Sequence, residues 1–344
     1  MDIYSSAVLN RVVQDLKSQL RPPFLLGRYF GEVSISTQEE IFFDVLQGKT
    51  RLAPFCSPLV EGQIVESRGY KTSSFKPAYI KDKRVFEDGK PVRRRAGQPI
   101  FGPLDPMQNR QLAIAQESED QLGMLQRRLE WMACEVLRTG AVTVSGEKYP
   151  TTVVDFGRDN SLTVTAAGNA KWDQPTTAKP LDDLETWAGY VRDACGASVT
   201  DVIMAQNVWN LFRSFQDVRD LLSKQLNLSP RTAIDVGPDQ QKLGFTDKGM
   251  VGDYHIWIYH DQYTDDQGVT QDFLPDDYLL MAGPQLEGVQ HYGSIKDEAA
   301  GMQARDYFSK SWIEQDPAVR MLMLQSAPLV VPYRVNATLS AKVK

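Results

Sequence analysis

Apolar side chains recur along residues 4 to 20 at three- and four-residue steps, as Leu9, Val12, Val13, Leu16 and Leu20, and predict one apolar stripe on a helix. Arg21-Pro22-Pro23 stops it, since proline removes a ladder donor and clashes with the preceding turn. The polar face carries only Arg11 and Lys17 against Asp15. That is too little positive charge for a helix lying on lipid, so the stripe predicts packing on protein. Alternation then takes over. EVSISTQEEIFFDVL, between Gly31 and Gly62, has the two-residue period of strands until the prolines of RLAPFCSPLVEGQ break it.

Asp105-Pro106 marks the sharpest change of regime, because Asp is a favoured N-cap and Pro suits the first helical position. Leu112, Ala115, Leu122, Leu125, Leu129, Met132 and Val136 then recur at helical spacing until Thr139-Gly140 closes the run. Pro106 to Thr139 would span about 50 Å at 1.5 Å per residue, the length of a spine. A coiled coil is the rival reading, but the repeat breaks at Ser118/Glu119 and covers under about five heptads. Strand patterns follow in VTVSGEKYPTTVVDFGR and SLTVTAAG. A second unit begins with the helix LDDLETWAGYVRDACG, the strand VTDVIMA and the helix NVWNLFRSFQDVRDLLSKQL. GDYHIWIYHDQY, a turn at Asp265-Asp266-Gln267-Gly268, FLPDDYLLMAG and the apolar LMLQSAPLVVPY complete the chain. Helices and strands mix without regular βαβ alternation, so the fold class is α+β. No internal repeat is visible.

Between the first strands and the long helix lies a segment of different character. KDKRVFEDGKPVRRRAGQ, Lys81 to Gln98, holds seven Lys and Arg in a chain whose formal net charge is −6. From Glu61 to Pro99 there are ten Lys and Arg against five Asp and Glu, a local +5 that leaves −11 elsewhere. Asp88-Gly89 is a strong hairpin cue, because both central residues of a type I′ turn need positive φ. The segment predicts a long two-stranded β-arm with too few apolar residues to stand alone in water.

At 344 residues the chain forms one large domain with excursions or two modest ones, and 42% hydrophobic with 24% charged residues is ordinary for a soluble globular protein. No apolar run approaches the roughly 18 residues of a membrane span. The opening MDIYSSAVLNRVVQDLKSQL has neither the basic start nor the cleavage site of a secretory signal, and predicts a mature cytoplasmic chain. Cys56, Cys134 and Cys195 are odd in number and far apart, which fits a reducing compartment and offers no thiolate metal site.

Catalytic constellations are missing: there is no phosphate-binding glycine loop, no nucleophile elbow and no H-E-x-x-H. His255 and His260 stand five apart on a predicted strand, facing opposite sides, and His291 is remote. Asp182-Asp183 begins a helix, where carboxylates offset the positive end, and Asp276-Asp277 follows Pro275 in a turn. The Asp276-Asp277 region is the one place for a remote hydrolase reading. Asn227-Leu228-Ser229 and Asn336-Ala337-Thr338 match a glycosylation pattern that carries no weight without secretion. No enzyme activity, cofactor or metal is expected. Nucleic-acid binding through residues 81–95 is the alternative function, since Arg93-Arg94-Arg95 could release phosphate counterions. Against it, the aromatics Tyr70, Phe75, Tyr79 and Phe86 are sparse, no reading helix adjoins, and the body is acidic. A basic arm on an acidic body has a simpler partner, another copy of itself.

The local text supplies a family. SPLVEGQIVESRG with KTSSFKPAYIK (Ser57 to Lys81), LAIAQE (Leu112 to Glu117), GRDNSLTV (Gly157 to Val164), WNLFRSF (Trp209 to Phe215), GDYHIWIYHDQY with FLPDDYLLMAG (Gly252 to Gly283) and DPAVRMLMLQSAPL (Asp316 to Leu329) resemble, in this order, the major capsid proteins of tailed bacteriophages, the lambda type in particular. The resemblance implies the Hong Kong 97 fold. Residues 1–50 would form an N-terminal arm with the first strands, 51–105 the extended loop, 106–180 a peripheral domain with its spine helix at 106–139, 181–283 an axial domain, and 284–344 a return to the peripheral domain with the C-terminal strands. It further implies pentamers and hexamers of an icosahedral head, a scaffold protein during assembly, a portal protein, a decoration protein at three-fold sites, and DNA enclosed loosely. No membrane partner is implied. Some relatives cross-link neighbours through a Lys and an Asn; no such pair is matched, and no cross-link is expected. In this frame Arg68, Lys71, Lys81, Lys83, Arg84, Lys90, Arg93, Arg94 and Arg95 are expected to contact a neighbour from the extended loop. Leu9, Val12, Val13, Leu16 and Leu20 are expected to do so from the N-terminal arm.

Overall fold

The structure is a computed structural model, and it describes all residues except 1–3, 39, 47–69, 87–105, 147–148, 222–243, 266, 302–304 and 316–317. Helix α1 (Ser6–Gln19) is capped by Ser5, whose hydroxyl accepts the Val8 N–H, and it ends at Leu20 before the prolines. A second helix, α2 (Phe24–Tyr29), starts directly after them. Strands β1 (Glu32–Ile35) and β2 (Ile41–Leu46) follow, then β3 (Tyr70–Phe75) and β4 (Ile80–Phe86). Helix α3 (Pro106–Thr139) occupies the span between Asp105-Pro106 and Gly140, 34 residues in all. Gly140 takes φ +74 there, and a Cβ on it would stand 2.6 Å from the Arg158 Cβ. Only glycine fits that exit.

Strands β5 (Ala141–Gly146), β6 (Tyr149–Asp155) and β7 (Thr163–Thr165) lead to α4 (Pro180–Cys195), β8 (Asp201–Ala205) and α5 (Gln206–Phe212). The remaining strands are β9 (Phe245–Val251), β10 (Tyr254–Tyr259), β11 (Gln262–Thr264), β12 (Thr270–Asp272), β13 (Tyr278–Ala282), β14 (Gly288–Tyr292), β15 (Phe308–Gln315), β16 (Ala318–Ser326), β17 (Pro328–Pro332) and β18 (Leu339–Lys342). The central sheet has order β7-β18-β13-β8-β10-β9, mixed in direction, with β8 buried at every position. Helix α3 supports β17, β18 and β13 along its length. Smaller sheets β1-β14-β17 and β15-β16-β4, with the hairpins β2-β3, β5-β6 and β11-β12, surround this centre.

Several expectations shift. The helix foreseen from Asn207 to Leu226 is interrupted after Phe212, where the Ser214 hydroxyl donates to the Leu211 carbonyl at 2.6 Å and competes with the helical ladder, and helix resumes over residues 216–221. The apolar run LMLQSAPLVVPY divides into β16 and β17, which belong to different sheets. The C-terminal β18 pairs with β13 and β7 inside the central sheet, alongside strands β8 and β10 of the 181–283 segment. On α3 the buried stripe opens with Ala113, Ile114, Ser118 and Gln121, whereas Leu112 is 47% exposed. Two polar residues on the inner face disguise its phase.

Candidate functional site

The N-terminal stripe is buried within its own subunit. Leu9 joins Ala113, Ile114 and Leu322, Val13 enters the main core, and Leu16 and Leu20 lie partly buried against it. Val12 is half-buried. Asn10 pairs with Ser309 in both directions, its Oδ1 accepting the Ser309 N–H at 2.9 Å and its Nδ2 donating to the Ser309 carbonyl at 3.0 Å. Lys17 pairs with Asp306, and the Arg320 guanidinium lies 3.6 Å from the centre of the Tyr4 ring. The helix packs on protein as predicted, and that protein is its own chain.

The base of the basic segment behaves similarly. Strand β4 pairs antiparallel with β16 over Ile80↔Ser326 to Phe86↔Arg320, so the chain's own C-terminal strands support part of the arm. Arg84 reaches Asp82 at 3.1 Å and Glu117 of α3 at 3.1 Å, with Asp120 at 3.6 Å. Lys83 pairs with Glu314 at 3.2 Å and sits 5.3 Å from the Trp312 ring centre. Two of the cations expected to face a neighbour thus find partners in their own subunit, and do not form the free basic stripe that phosphate binding needs. Lys81 lies over the Tyr79 ring at 5.2 Å. Lys71 lies on β3, and its side chain is outside what the structure describes; Arg68, Lys90, Arg93, Arg94, Arg95 and the Asp88-Gly89 turn lie outside the described residues.

Helix α2 is tied to the body by two buried carboxylates that sequence reasoning missed. Glu130, fully buried on α3, accepts the N–H groups of Leu25 at 2.9 Å and Leu26 at 2.8 Å, and the Tyr259 hydroxyl at 2.7 Å. It therefore caps α2, whose N-cap position is Pro23 and has no capping side chain of its own. Burial pushes its carboxyl up to about 7, against the pull of these three donors. Asp201, on the central strand β8, accepts two bonds from Arg28 (2.6 and 3.1 Å), one from the Tyr29 hydroxyl (3.1 Å) and one from Trp257 Nε1 (2.9 Å). Burial would raise its carboxyl, but the Arg28 and Trp257 donors outweigh that and hold it below the usual carboxylate range. Phe24 stacks on Phe245 at 4.2 Å and packs near Trp257. Helix α2 is thus locked to the spine helix by one acid and to the central sheet by the other. A helical Glu and a strand Asp carry no sequence mark of burial, so neither could be read beforehand.

The remaining sequence candidates have structural roles. Asp183 accepts the Trp172 indole N–H at 2.9 Å, and Asp277 pairs with Lys342 at 3.5 Å. His255 bonds Asp247 at 2.6 Å, and His291 bonds Tyr333 at 3.0 Å. Among the described residues no three His, Cys, Asp or Glu gather as metal ligands, and no helix is long and apolar enough to cross a membrane.

Comparison with known proteins assigns this architecture. The family model described as phage major capsid protein E matches residues 5–343. The major capsid protein of Escherichia phage lambda is 31% identical over 337 residues, covering 96% of both chains. That of Enterobacteria phage phi80 is 30% identical, covering 99% of both. Among solved structures, a capsid protein of a prophage of E. coli CFT073 superposes with a TM-score of 0.77 at 21% identity over 99% of both chains, and the capsid of Ralstonia phage GP4 with 0.53 at 10% identity over 94% of this chain and 92% of that one. The mixed fold is that of phage capsid shells, and with matches running from α1 to β18 the chain belongs to the phage major capsid protein E family.

Proposed function

We propose that this major capsid protein, a structural subunit of the head shell of a tailed phage, groups as pentamers and hexamers held together by the outer part of its extended loop and the exposed face of its N-terminal helix. The observation that carries the reading is the extent of the family match, residues 5–343, which takes in every helix and strand of the body. The location of the inner cations supports a division of labour, with Lys83 and Arg84 engaged at the loop base and contacts to a neighbour's carboxylates assigned to the remaining basic residues of the segment, Arg93, Arg94 and Arg95 among them. In the wider reading, the subunit assembles with a scaffold protein and a portal protein, takes a decoration protein at its three-fold sites, and encloses DNA without gripping it. The chain's charge of −11 outside residues 61–99 supports loose enclosure, since an acidic container repels phosphate.

Negative-stain microscopy and light scattering of the purified protein, with and without scaffold, test this. Pentamers, hexamers and closed shells are expected; a chain that stays monomeric in all conditions overturns the reading. Arg93→Glu combined with Arg94→Glu is expected to leave the subunit folded and abolish shells. Normal shells with only a salt-sensitive loss of DNA binding would instead favour the nucleic-acid alternative.

A further inference from the structure

Helix α2 lies in the chain between the N-terminal helix α1 and strand β1, and its two ends are held by acids of opposite character. At its start, Glu130 of the spine helix accepts the Leu25 and Leu26 N–H groups and the Tyr259 hydroxyl. At its end, Asp201 of the central sheet accepts two bonds from Arg28, one from the Tyr29 hydroxyl and one from the Trp257 indole N–H.

The two clasps differ in charge balance. Asp201 is matched by the Arg28 guanidinium, which also lies 4.7 Å from the Trp257 ring centre. Glu130 has three neutral donors, and among the described residues no Lys, Arg or His pairs with it. The groups that face it are neutral or acidic. On its own helix stands Cys134, whose thiol donates to the Phe273 carbonyl at 3.1 Å. From β10 comes Tyr259, and just beyond that strand lies Asp261, with Arg127 and His260 as its nearby cations. Helix α2 offers Glu130 only backbone, since Arg28 and Tyr29 turn to Asp201. A carboxylate taken out of water without a counter-ion favours its neutral form. Accordingly burial pushes the Glu130 carboxyl up to about 7, whereas Asp201 is held below the usual carboxylate range.

The partners of Glu130 suit both of its forms. Charged, it accepts three hydrogen bonds. Neutral, it still accepts both N–H groups and donates its own proton to the Tyr259 oxygen, because a phenol hydroxyl can accept as well as donate. The charged form therefore gains no partner in return for its desolvation.

We infer that α2 is a one-sided hinge gated by a proton: with Glu130 neutral the helix is closed on the spine helix, and when Glu130 ionises the Leu25–Leu26 end opens to water while the Arg28–Tyr29 end stays clasped on Asp201. Opening lets the carboxylate hydrate, so the closed state binds the proton more tightly than the open one. Closure is then complete in acid and is lost as pH rises through the closed-state value. The hinge is a property of the single subunit, and it stands or falls separately from the shell-subunit reading.

Amide exchange followed by NMR in the unassembled subunit, labelled with 15N in leucine and tryptophan, tests it between pH 5 and pH 8, with rates corrected for the intrinsic pH dependence of exchange. Protection of the Leu25 and Leu26 amides is expected to fall at least about tenfold across this range, with protection of the Trp257 indole N–H unchanged. Protection that is flat or rises with pH overturns the inference, as does an equal loss at Trp257, which would report a loosening of the sheet as a whole. Two variants separate a proton gate from packing alone. Glu130→Gln keeps the shape and an acceptor, and should make Leu25 and Leu26 protection independent of pH; a fall as steep as in the wild type overturns the gate. Tyr259→Phe removes a donor to the charged form and should move the transition to higher pH; an unmoved midpoint counts against the inference in the same way. If either variant fails to fold, the wild-type profile at Leu25, Leu26 and Trp257 decides by itself.

Discussion

Glu130 holds the position where one side chain has most influence on this subunit. It is a carboxyl with no exposure, aimed at two backbone donors of α2 and one phenol of β10. The titratable groups around it are Cys134 on its own helix, whose thiol burial pushes up, Tyr259 and Asp261; α2 contributes backbone alone. Because its folded value of about 7 lies above the ordinary 4.5, the native state binds the extra proton. Its stabilising contribution is therefore complete below about pH 4.5 and is lost as pH rises through 7, on the order of 3 kcal/mol across that window. Urea unfolding of the unassembled subunit at pH 5 and pH 8 should show this fall, and Glu130→Gln should flatten it. An equally steep profile in the variant would assign the dependence to other groups.

Helix α3 is finished at its C-terminal end by a residue 18 positions beyond Gly140. Arg158 donates to the carbonyls of Leu137 at 2.7 Å and Arg138 at 2.5 Å, and to the Thr163 hydroxyl at 2.8 Å, placing a cation where the helix macrodipole is negative. Burial, together with the nearby Arg138, brings its guanidinium down to about 10. Arg158→Ala should cost about 2–3 kcal/mol of subunit stability by stripping the donor from two terminal carbonyls. Arg158→Lys should recover less than half, since a point ammonium cannot span both acceptors as the planar fork does. Denaturant midpoints with unchanged slopes would report both effects. The ends of α3 were legible from Asp105-Pro106 and Thr139-Gly140, because caps are local chemistry. Its inner face was not, because Ser118 and Gln121 occupy positions that only packing against β4 and the sheet could reveal as buried.

At the scale of the whole molecule, helix α1 and strand β4 pack into the subunit's own body. Leu9 is fully buried among Ala113, Ile114 and Leu322, so the N-terminal helix stabilises the body that carries it. Leu9→Ala should lower the stability of the isolated subunit by about 2–4 kcal/mol, measured by chemical unfolding before any assembly. Were the residue reserved for a neighbouring copy, the isolated subunit would melt as wild type and only shell formation would suffer. The same organisation appears at β4, where pairing with β16 stabilises the base of the extended loop.

Much was determined by the sequence alone. Helical and alternating periods located α1, α3, α4, β8 and β10, prolines and glycines marked their ends, and ordered local matches from Ser57 to Leu329 identified the family. These features depend on neighbours within a few residues, which the text of a chain records directly. Tertiary structure alone decided which charges are internal. Glu130 and Asp201 became the clasps of α2, and Arg84 turned to Glu117, while Arg128 and Lys81 lie over the Trp131 and Tyr79 rings. Burial and pairing of a charged side chain depend on residues far away in sequence, such as Leu25 and Glu130, 105 positions apart. Hydrophobic periodicity holds no term for that distance, whereas the fold sets it by closing the sheet against the spine helix.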